Sequence, residues 1–315
     1  MTLRTYRVSA RGRQILVYDP CSGVTRLAPH PVPAGRRQLD EAEVRAWPTA
    51  HPAGLSLDIP VSLCWSPLVR CNLDCPHCLD DKSVPELDAA RRAVIAQHIG
   101  ASGVLGVDIS GGEPLLLRDL PDLARQLSGD GCAVSITTNG WHLARRASEL
   151  TGHADAIRVS LDAPDPARHD ALRGTGSFRR AIDGIHACRA AGLPVQIQTV
   201  LMASAARHAQ ATVDLAAGTG ANGLTFLQML PIGAGATMAA CEMLDDHAAA
   251  DLIGGLRAPP GLDIRLRTRD AAEGFTVVRA DGRIWRNGPR ALTITPGRPL
   301  AHPGDLALSS PDGSA

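Results

Sequence analysis

The chain has 315 residues, of which 44% are hydrophobic and 20% charged, with 32 basic and 32 acidic side chains and eight cysteines. A chain of this length buries a sizeable core and accommodates one large domain with appendages, while zero net charge gives no electrostatic basis for binding nucleic acid or an anionic membrane surface. The opening MTLRTYRVSARGRQ has no apolar signal core and no run reaches the length of a membrane span, so a cytoplasmic location is expected.

Residues 3–28 alternate as two or three short strands with turns at Ala10 to Gly12 and Asp19 to Gly23. So small a β-rich extension must dock on the main body or on a partner, either as a structural cap or as an edge that accepts an extended peptide. Residues 29–60 are rich in Pro, Ala and Gly and read as a linker, with one helical turn near Glu41 to Trp47. From 61 onward apolar strand-like runs fall at 61–66, 104–110, 132–138, 156–161, 195–201 and 223–229. Helical patterns follow them, among others at 88–98, 120–127, 141–150, 178–190 and 205–217. Strands that are continuously apolar and alternate with helices make an α/β fold, a parallel sheet covered by helices, here over 61–235. The remaining 236–315 read as a short C-terminal extension: a helix at 245–256, short strands within 262–295 around the Asp281-Gly282 turn, and a mobile tail from Thr295.

After the first of these strands, RCNLDCPHCL sets Cys71, Cys75 and Cys78 in a CxxxCxxC spacing. Three thiolates on one loop hold three irons of a cubane cluster and leave the fourth iron open to a non-protein ligand. A structural zinc site is the competing reading, but no fourth ligand stands at finger-like spacing, and His77 lies awkwardly between two ligating cysteines. Plain thiols remain open, whereas an odd, crowded set does not suit a disulfide framework. Lys82 is the only lysine, so Schiff-base chemistry has one candidate; its ordinary reading is a solvated loop residue.

Farther along come Ser110 to Pro114 (SGGEP), Thr137 to Gly140 (TTNG), Val159 to Asp162 (VSLD) and Leu172 to Phe178 (LRGTGSF). Together with the cysteine loop, and in this order over about residues 60–230, they resemble the radical S-adenosylmethionine (SAM) family. LRGTGSF is similar to a pattern in the branch that includes the molybdenum-cofactor enzyme and peptide-modifying maturases. The resemblance implies a partial (β/α)6 TIM-like barrel of the radical SAM type. It also implies a [4Fe-4S] cluster on Cys71, Cys75 and Cys78, SAM chelated to the open iron, and an electron donor such as flavodoxin or ferredoxin. The activity it implies is reductive cleavage of SAM to a 5'-deoxyadenosyl radical that abstracts hydrogen from a substrate C–H bond.

The motifs sit at predicted strand ends, where barrels of this kind gather functional groups. Gly111 and Gly112 allow close backbone approach, and the resemblance makes them, with Glu113 and Pro114, the edge that binds the SAM amino group. Thr138, Asn139, Ser160 and Asp162 read as partners for ribose hydroxyls and the SAM carboxylate. Arg173 suits a carboxylate or caps a loop, and His77 suits a place beside adenine. Cys64, Cys132 and Cys188 read as core residues. Cys241, beyond the Gly-rich exit of the last strand, is either a hydrogen-atom donor to a substrate radical or an unreactive loop thiol. No dense cysteine cluster follows residue 230, in contrast to maturases with auxiliary clusters, so a single cluster is expected. Two substrate classes stay open. One is a ribosomally made peptide in natural-product biosynthesis, favoured by LRGTGSF, the 229–235 exit and the β-rich extension. The other is a sugar, nucleoside or aminoglycoside, favoured by the short C-terminus. A non-catalytic zinc scaffold is the remaining alternative.

Overall fold

The computed structural model describes residues 2–50, 55, 57–268, 275–286, 292–295 and 297–308. The chain opens with β1 (Leu3–Arg11), β2 (Gln14–Tyr18), β3 (Thr25–Leu27) and β4 (Gly35–Asp40), an antiparallel sheet ordered β3-β2-β1-β4. Its apolar face, Tyr6, Val8 and Val17, packs against Val44 and Trp47 on and after α1 (Glu41–Ala46). The Asp40 carboxylate caps this helix by accepting from the Glu43 N–H at 3.1 Å. Strand β4 lies in the segment that composition presents as a linker. Its sequence GRRQLD has no apolar alternation, and it is held as an edge by backbone pairing with β1.

A second sheet has nine strands in the order β11-β10-β9-β8-β7-β6-β5-β12-β13. Its central strands, β5 (Ser62–Trp65), β6 (Gly106–Ile109), β7 (Ala133–Thr138), β8 (Ala156–Ser160), β9 (Val195–Leu201) and β10 (Gly223–Gln228), are parallel and lie within two residues of the expected runs. Helices α2 (Ala89–Ala101), α3 (Leu120–Gly129), α4 (Leu143–Leu150), α5 (Pro166–Arg173), α6 (Ser177–Ala190) and α7 (Ala209–Thr219) connect them. On α3, Leu120, Leu123, Ala124 and Leu127 are buried together, the spacing of one helix face. Each fully buried leucine or isoleucine of this core contributes about 1.5–3 kcal/mol. The curled sheet is the partial barrel expected, but the C-terminal segment extends it on both sides. After α8 (Ala239–Glu242) and α9 (Asp246–Gly254), β11 (Asp263–Arg267) joins β10, β12 (Thr276–Val278) runs parallel to β5, and β13 (Ile284–Arg286) closes antiparallel on β12.

The N-terminal sheet covers the end of the barrel where the strands begin. Leu16 and Tyr18 pack with Leu105 and Ala133, and Arg36 reaches Asp155 at 2.6 Å. The turn after β2 closes that end: Arg158 donates to the carbonyls of Pro20 and Cys21 at 2.8 and 3.3 Å, and Arg265 donates to that of Ser22 at 2.6 Å. A Cβ on Gly106 would stand 2.0 Å from the Tyr18 ring. Gly106→Ala is therefore expected to cost about 1–3 kcal/mol in urea denaturation.

The tail expected to be mobile is fixed over 297–308. Leu300 and Leu306 are buried against the main core, and the Leu308 N–H donates to Asp58 O at 2.8 Å. Residues 309–315, also covered by that expectation, lie outside the described residues. Among the described residues no helix is long and apolar enough to cross a membrane.

Candidate active site

The long connection from β5 to α2 crosses the C-terminal end of the strands, and Cys71, Cys75 and Cys78 on it line a cavity of about 300 Å³. Gly111 and Gly112 after β6, Thr138 and Asn139 at the end of β7, and Ser160 ending β8 form part of the same wall. The loops singled out by sequence thus meet at one place. Burial pushes the Cys75 thiol up to about 11 and raises those of Cys71 and Cys78. At Cys71 this is opposed by donors to sulfur, the Leu73 N–H at 3.4 Å and Asn139 Nδ2 at 3.7 Å. Such thiols keep their protons until a metal displaces them. Three soft donors on one loop fit a cubane cluster. Among the described residues no three Cys, His, Asp or Glu side chains form a group able to hold a single metal ion, and a cubane does not require one, because each thiolate takes its own iron. Lys82 is on the outer side of the loop, paired with exposed Asp74.

Gly111 and Gly112 have a more immediate constraint than a ligand. A Cβ on Gly111 would lie 2.4 Å from the Leu68 carbonyl, and one on Gly112 would lie 2.0 Å from that of Arg70. The same stretch is bonded through Gly112 N–H to Leu68 O and Glu113 N–H to Arg70 O, both at 2.9 Å. The strand-end loop is thereby clamped to the entry of the cysteine loop.

Glu113 is fully buried and its carboxylate is occupied. It accepts from Thr138 Oγ1 at 2.7 Å, the Asn139 N–H at 2.8 Å and the Leu115 N–H at 3.0 Å. Its side chain ties the β7 loop in place and does not line the cavity. Pro114, also buried, starts a single 3-10 turn. Thr138 spends its hydroxyl on Glu113, and Asn139 is engaged with Cys71, Asn72 and the Trp141 N–H, so Ser110 and Ser160 carry the hydroxyls left at this wall.

Asp162, expected beside SAM, is instead an internal anchor. It is 1% exposed and accepts from Arg173 Nε at 2.5 Å, the Val200 N–H at 2.9 Å and His77 Nε2 at 3.2 Å. Burial alone would raise its carboxyl; the Arg173 guanidinium and the His77 hydrogen bond outweigh this and hold it far below the usual carboxylate range. His77 thus connects the cysteine loop to the end of β8, with its ring on the cavity wall beside Arg173.

His169, buried under the same cluster, accepts the Asp162 backbone N–H on Nδ1 at 3.2 Å, which requires a neutral ring. Burial lowers it to about 4. As pH falls from about 6.5 toward 4 the unfolded state takes up a proton that the folded state refuses, so His169 withdraws up to about 3 kcal/mol of stability over that window. Asp80, which burial pushes up to about 6, works in the opposite sense below that pH. Comparing urea midpoints of the native protein and His169→Phe at pH 7 and pH 4.5 isolates the histidine: the native protein is expected to lose more between the two pH values.

Cys132 and Cys188 are buried as expected, whereas Cys64 lies on the cavity wall. Cys241 is exposed on α8 and is not among the lining residues. Cys241→Ala is expected to leave turnover of any substrate within about twofold, since exposed positions away from a site rarely matter. Sequence reasoning missed Asp80, Asp108, Arg267, Arg279 and Trp285, all on the cavity wall. The alternation in β11, Asp263-Ile264-Arg265-Leu266-Arg267, is a legible signal for two arginines on one face.

Residues 65–215 match the family model described as "Radical SAM superfamily". A GTP 3',8-cyclase of Rhodopseudomonas palustris is 34% identical over 204 residues, covering 59% of this chain and 56% of that protein. The mycofactocin maturase of Mycobacterium tuberculosis is 30% identical over 201 residues, covering 62% of this chain and 50% of the relative. This chain thus spans about half the length of the curated relatives it matches. Among solved structures, Streptococcus suis SuiB bound to precursor peptide SuiA superposes with a TM-score of 0.63 at 17% identity, covering 74% of this chain and 60% of that one. At that identity the likeness is one of fold.

Proposed function

Taking residues 65–215 as the radical SAM domain that they are, we propose that this chain uses a [4Fe-4S] cluster and SAM to modify a ribosomally made peptide at an unactivated C–H bond. The observation that carries the reading is the convergence of three loop cysteines with the β6, β7 and β8 strand-end loops on one cavity. Cys71, Cys75 and Cys78 would hold the cluster. When bound, the reduced cluster supplies the electron that cleaves SAM, and SAM supplies the carbon that abstracts hydrogen. The chain's own residues do the rest. Asn139 directs Nδ2 at Cys71, Ser160 offers a hydroxyl at the wall, and the Gly111-Gly112 clamp fixes the loop on which the cysteines stand. The apolar side chains Leu227, Met229, Phe275 and Trp285 exclude water from the inner wall. Support for a peptide comes from the mycofactocin maturase relative and the SuiB fold.

The second reading is a small molecule, favoured by the GTP 3',8-cyclase relative and by guanidinium groups on the cavity wall. The test is anaerobic. The protein is reconstituted with iron and sulfide, reduced with dithionite and supplied with SAM, beside a Cys71/Cys75/Cys78→Ala triple variant. The native protein is expected to hold about four irons and form 5'-deoxyadenosine, and the variant neither. Formation by both, or by neither despite full iron loading of the native protein, would overturn the reading.

A further inference from the structure

The cavity has a cationic side built by residues outside the recognised loops. Arg279, just beyond β12, lines it while only 5% exposed, and its Nη2 is buried without a hydrogen-bond partner. Arg267, the last residue of β11, lines it too, with its guanidinium 4.9 Å from the centroid of the Phe275 ring. Neither forms an ion pair among the described residues. The other charged side chains at the wall are largely accounted for: Arg173 is paired with Asp162, and Asp108 is paired with Arg158 and accepts from Ser135 and Thr137. Asp80 on the wall and its neighbour Asp81, whose carboxylate accepts from Ser83, remain near Arg279. Neither lies within ion-pair distance of it, so they compensate the guanidinium incompletely.

A guanidinium left buried without an acceptor is costly, because the protein has removed its hydration and returned nothing. Arg267, half-buried at the end of β11, brings a second guanidinium to the same cavity lining from the opposite side of the sheet, and two such groups suit an oxyanion. Burial and Arg158 both lower the Arg267 pKa, as expected of a cation short of negative charge.

We infer that Arg279 and Arg267 form a subsite for a negatively charged group of the substrate, a carboxylate or a phosphate. This rests on the reading of the cavity as the substrate site. An acidic peptide side chain and the phosphate of a small molecule share this chemistry, and they differ in charge and geometry. The cationic aminoglycosides are the class that the subsite disfavours.

The experiment is isothermal titration calorimetry of the iron-reconstituted protein at low ionic strength, with glutarate and inorganic pyrophosphate as probes. Native protein is expected to bind at least one, and Arg279→Gln to bind it roughly tenfold or more weakly. Arg283→Gln, at an exposed arginine off the cavity wall, is expected to change nothing. Preference for glutarate assigns a carboxylate, and preference for pyrophosphate a phosphate. Arg267→Gln is the second variant should Arg279→Gln not fold, and the same weakening is expected. Failure of native protein to bind either anion, or native-like binding by the variants, overturns the subsite. Protein that forms 5'-deoxyadenosine yet binds neither anion loses this inference alone. Protein that binds an anion through Arg279 yet never cleaves SAM keeps the subsite and loses the radical reading.

Discussion

Asp162→Asn is expected to lose about 3–5 kcal/mol of stability, because it leaves the Arg173 cation buried and unpaired. The carboxylate is saturated by Arg173, His77 and the Val200 N–H, and both of its charged or polar side-chain partners reach the cavity wall. Releasing His77 frees the loop between Cys75 and Cys78 from the end of β8, so cluster loading is expected to fall with stability. Urea denaturation and iron content per chain measure the two effects separately. Adding Arg173→Met to Asp162→Asn removes the orphaned cation and is expected to recover part of the stability without restoring iron loading, because the anchor for His77 is still missing. A native urea midpoint in the single variant would refute the account.

Gly112→Ala is the second large effect expected. The added methyl carbon would stand 2.0 Å from Arg70 O and 2.6 Å from Val69 O, both backbone atoms of the entry to the cysteine loop. No rotamer change relieves a clash with backbone, so the two loops must part, breaking the Gly112–Leu68 and Glu113–Arg70 hydrogen bonds. A loss of about 3 kcal/mol and a protein that retains little iron after desalting are expected. Gly129→Ala, a helical glycine with open space around it, is the control and is expected to be neutral or slightly stabilising.

Much of this arrangement is written in local sequence. The six central strands are apolar runs of the right length, and the glycine and polar residues that end them fall at the strand ends because the period of the βα unit is regular. What sequence does not carry is the direction of a side chain at the end of a strand. Asp162 and Ser160 stand two residues apart in one motif, yet Ser160 lines the cavity and Asp162 turns inward to Arg173. Glu113 belongs to a loop that resembles a cofactor edge and spends its carboxylate on neighbouring backbone. Strand β4 was illegible for a different reason: an edge strand of Gly, Arg, Arg, Gln, Leu and Asp carries no hydrophobic period. Arg279 belongs to no motif, and only the pairing of β12 with β5 brings it to the cavity.

That pairing joins Cys64 and Trp65 to Val277 and Val278, residues separated by more than two hundred positions. The first strand of the barrel therefore waits for one of the last, and the contact order of the site is high although its motifs are local. During synthesis the cysteine loop leaves the ribosome long before the strand that walls in its cavity. Until that segment is made, the cavity lacks the lining that Val277, Arg279 and Trp285 supply.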